Sequence, residues 1–352
     1  MLGKLLTIII PSYNMELYLP KCLQSLIIDN GDLLRKLDVV IVNDGSKDRT
    51  SIIAHEFEAR HPGVFRVIDK ANGHYGSCVN AGLSVADGTY VKILDADDSF
   101  ESNALSSYLE YLQSLEGDVD MIVTDFCSVD TSGREMGRIT HKFPVAKAFG
   151  IESLMSHPQV VVMHAITYRT DMLRNINYTQ TEGMLYTDGE WCFTPMMHVK
   201  DIRYCPVVLY RYLIGRDGQS VATYGRNVLM QVHLLKYMVD TYRKNAMTTS
   251  ADCRRYLERY IKHIATISYS TYFFKCPIRT VNVGVSDVDQ YLKQNMPDVY
   301  LGLEDLSILS NTIFRYRYLQ RWRRRGKLPW IELCALQMYM RYIPRLSRLS
   351  RI

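Results

Sequence analysis

Four short apolar runs, separated by helix-like segments, fix most of what the first 125 residues can become. Leu5 to Ile10, Val39-Val40-Ile41-Val42, Phe65-Arg66-Val67-Ile68 and Tyr90 to Leu94 are rich in β-branched and aromatic residues. Between them, Leu17 to Ile28, Thr50 to Arg60 and Cys78 to Val85 carry apolar residues at helical spacing. Runs so short and so apolar read as strands buried on both faces. The β-α-β-α order then predicts an α/β fold, a mostly parallel sheet with helices on both faces. Further strands are expected at Met121-Ile122-Val123-Thr124, Val160 to Met163 and Ile202 to Tyr210. Beyond Ser220 the period changes, and Asn227 to Tyr242, Asp252 to Phe274 and Val288 to Met296 read as helices. A boundary is expected near Thr223, giving a first domain over 1–222 (divisible near 125), a helical region over 223–310 and a tail over 311–352.

Bulk properties narrow the class. A chain of 352 residues is long for one core, and 47% hydrophobic with 22% charged residues is ordinary for a soluble protein. The eight cysteines include no C-x-x-C pair, so neither a metal site nor a disulfide framework is expected, and a reducing, cytoplasmic setting follows. The N-terminal apolar stretch is too short for a signal peptide, and no run of 18 apolar residues predicts a membrane-spanning helix. Net charge is +5, but unevenly placed. Asn311 to Ile352 holds eleven Lys and Arg against Glu332 alone, a local +10 that leaves −5 for the residues before it.

Chemistry gathers where the predicted strands end. After the first comes Pro11-Ser12-Tyr13-Asn14, and after the second Asn43-Asp44-Gly45-Ser46-Lys47-Asp48-Arg49-Thr50. Gly45 permits a tight turn and Asp48 or Thr50 a helix cap, leaving Asp44 free at the sheet edge to accept hydrogen bonds. Asn72-Gly73-His74-Tyr75-Gly76-Ser77 offers close backbone approach. Asp95-Ala96-Asp97-Asp98 then follows the fourth strand, at the carboxyl edge where open α/β sheets bind ligands. Three carboxylates in four residues repel unless a cation joins them, and Mg²⁺ or Mn²⁺ suits oxygen ligands shared with substrate phosphates. A solvated acidic turn is the alternative for the acids taken alone.

Together these segments resemble a family 2 glycosyltransferase of the GT-A fold. The match rests on Ile9-Ile10-Pro11-Ser12-Tyr13-Asn14, Val42 to Thr50, Asn72 to Ser77 leading into Asn80-Ala81-Gly82-Leu83, and Asp95 to Asp98. It covers about residues 5 to 125, with a weaker extension through Tyr186-Thr187-Asp188-Gly189-Glu190-Trp191 to Tyr210-Arg211-Tyr212 and Gln219-Ser220-Val221. The resemblance implies an inverting transfer from a nucleotide-diphosphate sugar, UDP-linked by expectation, to a glycan or lipid-linked acceptor in bacterial surface polysaccharide synthesis. It implies donor contacts at Pro11, Tyr13, Asn14, Asp44, Asn72, Gly73, Asn80, Asp95 and Ala96. Within that set Asp44 is expected on the nucleobase and Asp95 on the ribose. Asp97 is the expected ligand of Mn²⁺ or Mg²⁺, with Asp98 in support.

Inversion in one displacement also needs a base for the acceptor hydroxyl. Asp188 is the candidate, because the family often carries its base in a Glu-Asp-x-Glu-aromatic run and Thr187 here replaces the first acid. Glu190 and Glu182 compete, and capping of a helix starting near Glu190 is the structural alternative for Asp188. Arg211, Arg216 and Gln219 lie in a loop with Gly215 and Gly218, where an arginine can reach a diphosphate and Gln219 can join it. An ordinary surface loop is the alternative. His74, His164 and His198 are metal-ligand candidates better read as satisfied or solvated. In the tail, Arg315, Arg317, Arg321, Arg323, Arg324, Arg325 and Lys327 cluster among aromatics, and Arg341, Arg345, Arg348 and Arg351 share one helical face, with Pro344 a kink. Cations beside apolar residues suit an anionic inner-membrane surface, and a packing or dimer face is the alternative. No nucleic-acid motif accompanies them. A sugar-phosphate nucleotidyltransferase would need a glycine-rich basic loop where Pro11-Ser12-Tyr13-Asn14 stands. A nucleotide-binding module without transferase activity, associated with membrane or nucleic acid, is the competing class, against which the intact acids argue.

Overall fold

Residues 3–117, 119–145, 147–216, 219, 227–308 and 316–342 are described by the computed structural model of the chain. The chain divides into two compact units, Met1–Arg216 and Asp217–Ile352. The boundary expected at Thr223, and Pro344, Arg345, Arg348 and Arg351 of the tail, lie outside the described residues, as does Arg315.

The first unit is built on one nine-stranded sheet. Its strands are β1 Leu6–Ser12, β2 Leu37–Asn43, β3 Phe65–Asp69, β4 Tyr90–Ile93, β5 Ser99–Phe100, β6 Met121–Val129, β7 Glu135–Ile139, β8 Ile166–Arg169 and β9 Ile202–Leu213. The order is β3-β2-β1-β4-β8-β6-β9-β5, with β7 beside β6. The first four strands are parallel, and β8 joins β4 antiparallel, so the sheet is mixed beyond that point. Every residue of β1 and β2 is buried, as expected for strands covered on both faces. Ser12 pairs with Asn43 and Ile9 with Ile93, so the loops after β1, β2 and β4 leave the sheet along one edge.

The helices of this unit are α1 Leu19–Gln24, α2 Gly31–Leu34, α3 Thr50–Arg60, α4 His74–Val85, α5 Ser102–Ser114, α6 Thr170–Asn175 and α7 Asp188–Phe193. The long helix expected over Leu17 to Ile28 is cut to six residues, and Asn30 restarts the chain by accepting the Asp32 and Leu33 N–H groups at 3.0 and 3.2 Å. The strand expected at Val160 to Met163 is absent. A single 3₁₀ turn, Met163–Ala165, closes there with the Ala165 N–H on the Val162 carbonyl at 3.0 Å, and β8 begins only at Ile166.

The second unit is helical: α8 Val228–Asn245, α9 Ala251–Lys275, α10 Ile278–Asn295, α11 Pro297–Gly302, α12 Tyr318–Arg325 and α13 Trp330–Tyr342. Its core is the apolar face of α9, where Tyr256, Leu257, Ile261, Ala265, Tyr269 and Phe273 are buried. Asp289 of α10 accepts the Tyr269 hydroxyl at 2.8 Å and Arg323 of α12 at 2.8 Å, tying three helices through one carboxylate. No described helix is long and apolar enough to cross a membrane.

Candidate active site

The turn after β2 does not leave Asp44 free. Its buried carboxylate accepts Lys70 Nζ at 2.9 Å and the Gly73 N–H at 2.9 Å, while Asn72 Nδ2 donates to its carbonyl at 3.0 Å. A buried charge must be partnered, and Lys70, which also donates to Ser77 Oγ at 2.8 Å, is the partner. Gly45 sits at φ +71°, and a side chain there would press to 3.1 Å of the Asn72 nitrogen, so the approach of the two loops depends on that glycine. Asn14, at φ +54°, is engaged as well: its N–H donates to Ser46 Oγ at 3.0 Å and its Oδ1 accepts the Lys47 N–H at 2.8 Å. Pro11 is buried within β1, whereas Tyr13 is exposed.

The acid turn is held from β9. The Tyr210 hydroxyl accepts the Asp95 N–H at 3.2 Å and donates to Asp98 Oδ2 at 2.6 Å, and the Leu213 N–H reaches Asp98 Oδ1 at 2.7 Å. Each Asp98 oxygen therefore accepts one hydrogen bond. Burial, then the Asp97 and Asp95 charges, push the Asp98 carboxyl well above the carboxylate range. Asp95 accepts the Tyr75 hydroxyl at 2.8 Å through Oδ1. Burial first, and Asp97 next, raise Asp95 to about 7. Asp97 pairs with Arg216, whose guanidinium also lies 5.4 Å from the Tyr18 ring centroid. Ala96 is buried between them.

His164 completes this group. Ligand atoms of Asp95, Asp98 and His164 lie within 4.8 Å of one another, and His164 Nδ1 is buried with no hydrogen-bond partner among the described residues. The ring packs edge-on against Tyr210 and tilted against Phe126 and Tyr212, at centroid distances of 4.7, 5.2 and 4.6 Å. Burial, aided by the charge of Lys92, lowers the imidazole to about 3 and keeps it neutral, as a ligand must be. Lys92, fully buried in β4, donates to the His164 and Ile166 carbonyls at 2.8 and 3.1 Å and so fixes the turn that carries the imidazole. Oxygen donors with one neutral imidazole fit Mn²⁺ or Mg²⁺. His74 and His198 are exposed, and neither joins the group.

Asp188 opens α7. It is exposed to solvent on one side and crowded by protein on the others, and the crowding raises its carboxyl against hydrogen bonds from the Gly189 and its own N–H. Its charge also contributes to raising Asp95 and Tyr75. Glu190 is buried, its Oε2 accepting the Thr181 N–H at 2.8 Å, and Glu182 accepts Asn80 at 2.9 Å. Asn80 spans the same segment, accepting the Gln180 N–H at 2.8 Å and donating to its carbonyl at 2.9 Å. Gly76 allows this closeness, since a Cβ there would meet the Thr181 carbonyl oxygen at 2.1 Å. Arg211 is committed to Glu101 at 2.9 Å and the Gly133 carbonyl at 3.0 Å. Gln219 is buried and belongs to the second unit.

The raised Asp95 has a testable consequence. In the folded chain it keeps its proton to about 7, and in an unfolded chain only to about 3.9. The folded state binds the extra proton across that window, so this group makes stability fall as pH rises from about 4 to about 7, then level off. Thermal midpoints measured against pH should lose that slope in Asp95→Asn. An unchanged slope would remove Asp95 as its origin.

A parallel nucleotide-type sheet, an acid turn at its carboxyl edge and a mixed sheet beyond β4 define the GT-A fold, and solved structures agree. Staphylococcus aureus TarS 1–349, solved in complex with UDP-GlcNAc, aligns with a TM-score of 0.68 over 96% of this chain and 91% of that one, at 16% identity. Residues 7–176, just under half of the chain, match the model for Glycosyl transferase family 2. Among relatives, the minor teichoic acid biosynthesis protein GgaB of Bacillus subtilis is 27% identical over 217 residues, 61% of this chain. The chain spans only 23% of the length of GgaB. The uncharacterized glycosyltransferase YibD of Escherichia coli is 27% identical over 260 residues, covering 69% of this chain and 73% of its own length.

Proposed function

We propose that this chain is an inverting glycosyltransferase that moves a sugar from a UDP-linked donor to a hydroxyl of a glycan or lipid-linked acceptor, in surface polysaccharide synthesis. The observation that carries the reading is the open Nδ1 of His164 beside the acid turn, with Asp188 near enough to act on the same charges. TarS holding UDP-GlcNAc supports the donor class, and the naming of GgaB for teichoic acid biosynthesis supports a cell-surface polymer as the product.

In this reading Asp44 receives the nucleobase and Asp95 the ribose, with Pro11, Tyr13, Asn14, Asn72, Gly73, Asn80 and Ala96 shaping the donor loops. A Mn²⁺ or Mg²⁺ ion, held by Asp97 and His164 with Asp95 alongside, would offset the charge gathered by the departing diphosphate. Asp97 must then release Arg216, which becomes available to the diphosphate oxygens as a planar, bidentate donor. Asp98, which accepts Tyr210 and Leu213 and keeps a lone pair on each oxygen, supports the ion from beside Asp95. Asp188 removes the proton of the acceptor hydroxyl as that oxygen bonds the anomeric carbon and the bond to the nucleotide breaks. A lipid-linked acceptor places the reaction at the inner face of the plasma membrane.

Thermal shift against a panel of UDP-, GDP- and CMP-linked sugars, with Mn²⁺, Mg²⁺ or EDTA, tests the reading. UDP-linked donors are expected to raise the midpoint in the presence of either cation, with slow release of UDP on incubation. Failure of every nucleotide sugar to shift the midpoint with either cation would overturn it.

A further inference from the structure

The second unit carries a surface that donor chemistry does not explain. Gly326, at φ +72°, ends α12 in the left-handed conformation, and the chain turns into α13. That turn is pinned from within. Asn282 Oδ1 accepts Trp322 Nε1 at 2.9 Å and the Leu328 N–H at 3.1 Å, while its Nδ2 donates to the Leu328 carbonyl at 3.2 Å. Leu333 and Leu336 bury the inner face of α13. Its outer face presents Trp330, 67% exposed, Ile331, 74%, and Met338, 59%, in a stripe at helical spacing.

The cations around this stripe separate into two kinds. Arg317 pairs with Asp305, Arg323 with Asp289, and Arg321 and Arg325 both with Glu332. Those four stabilise the unit itself, so much of the cluster seen in the sequence is internal packing. Arg324, Lys327 and Arg341 are exposed and have no partner among the described residues. They flank the stripe.

We infer that this turn and the outer face of α13 dock on an anionic phospholipid bilayer, with Trp330 and Ile331 at the headgroup–acyl boundary and Arg324, Lys327 and Arg341 on lipid phosphates. An indole beside an aliphatic side chain suits the membrane interface, and unpaired cations complement anionic headgroups. A second copy of the chain fits less well, because a two-fold contact would set this cationic patch against itself. The inference rests on the membrane placement of the acceptor, but its test contains no sugar.

Trp330 provides the readout. Of the three tryptophans, Trp191 is fully buried and Trp322 is 5% exposed, so iodide quenching of the full-length chain reports on Trp330. Vesicles of phosphatidylcholine with phosphatidylglycerol should sediment the protein, blue-shift its emission and shield it from iodide, and pure phosphatidylcholine should do so weakly. Binding should weaken steeply with salt, since screening acts over roughly 8 Å at physiological ionic strength. Arg324→Gln with Lys327→Gln should weaken partitioning about thirtyfold, each lost cation contributing about fivefold. Ile331→Ser with Met338→Ser should weaken it while keeping the reporter. Sedimentation with Trp330 still open to iodide would overturn the assignment, as would no sedimentation at all. Shielding that rises with protein concentration in the absence of vesicles would replace the bilayer with a second copy. Release of UDP from a soluble donor should persist in these variants. Its absence in the wild-type chain, with vesicle binding intact, would strike the transferase reading alone.

Discussion

Exchange of Asp188 for Asn is expected to slow sugar transfer by about 10² to 10⁴-fold while leaving donor affinity close to that of the unaltered chain. The amide keeps the size and shape of the carboxyl at the start of α7 and removes its ability to accept a proton. Because Asp188 is exposed on one side, it can meet an acceptor hydroxyl, and its raised carboxyl is closer to the basicity that proton transfer favours. Glu190 is the control. It is 1% exposed and bonded to the Thr181 N–H, so Glu190→Gln is expected to lower the thermal midpoint more than the rate of transfer per folded molecule. Single-turnover transfer with calorimetric donor titration separates the two. If Glu190→Gln shows the kinetic pattern and Asp188→Asn stays active, the base is misassigned.

Asp97→Ala is expected to lower transfer by about 10³-fold, the rate equivalent of ~4 kcal/mol of charge stabilisation. It should also abolish the part of donor binding that requires Mn²⁺. His164→Ala should weaken Mn²⁺ affinity in the same assay, because the open Nδ1 is then gone. Calorimetry with Mn²⁺ and UDP checks both variants, with the thermal midpoint as a fold control. Equal turnover of the unaltered chain in EDTA would overturn the metal assignment.

The sheet was legible wherever burial is two-sided. β1, β2 and β4 are buried throughout, β3 only at Phe65, and α3 begins at Thr50 and ends at Arg60 as its spacing predicts. The acids at the end of β4 were legible for the same reason, since a strand end fixes a sheet edge. Helix α5 was equally readable, with Leu105, Tyr108, Leu109 and Leu112 buried at helical spacing, but it carries no motif and drew no expectation. What the sequence hid is pairing across distance. Tyr75 donates to an acid 20 residues on, and Lys70 to one 26 residues back. His164 stood among three histidines with nothing local to separate them. Its distinction comes from Lys92, a lysine inside an apolar strand run, which was the one visible signal that a buried polar group waited opposite. The metal role of Asp97 remains a proposal that must displace Arg216, and no local pattern announces that contact.

The hydroxyl that holds Asp98 has a further consequence for how the chain is made. Tyr210 leaves the ribosome 112 residues after Asp98, and Leu213 follows 115 residues after it. At 5 to 20 residues per second that interval is roughly 6 to 22 s. During it β1 to β4 can already pair, since each is complete by Ile93, while Asp98 lacks both of its donors. Clustered carboxylates without those donors cannot stay buried. A nascent chain that has completed β4 therefore lacks both donors of Asp98 until β9 has been translated.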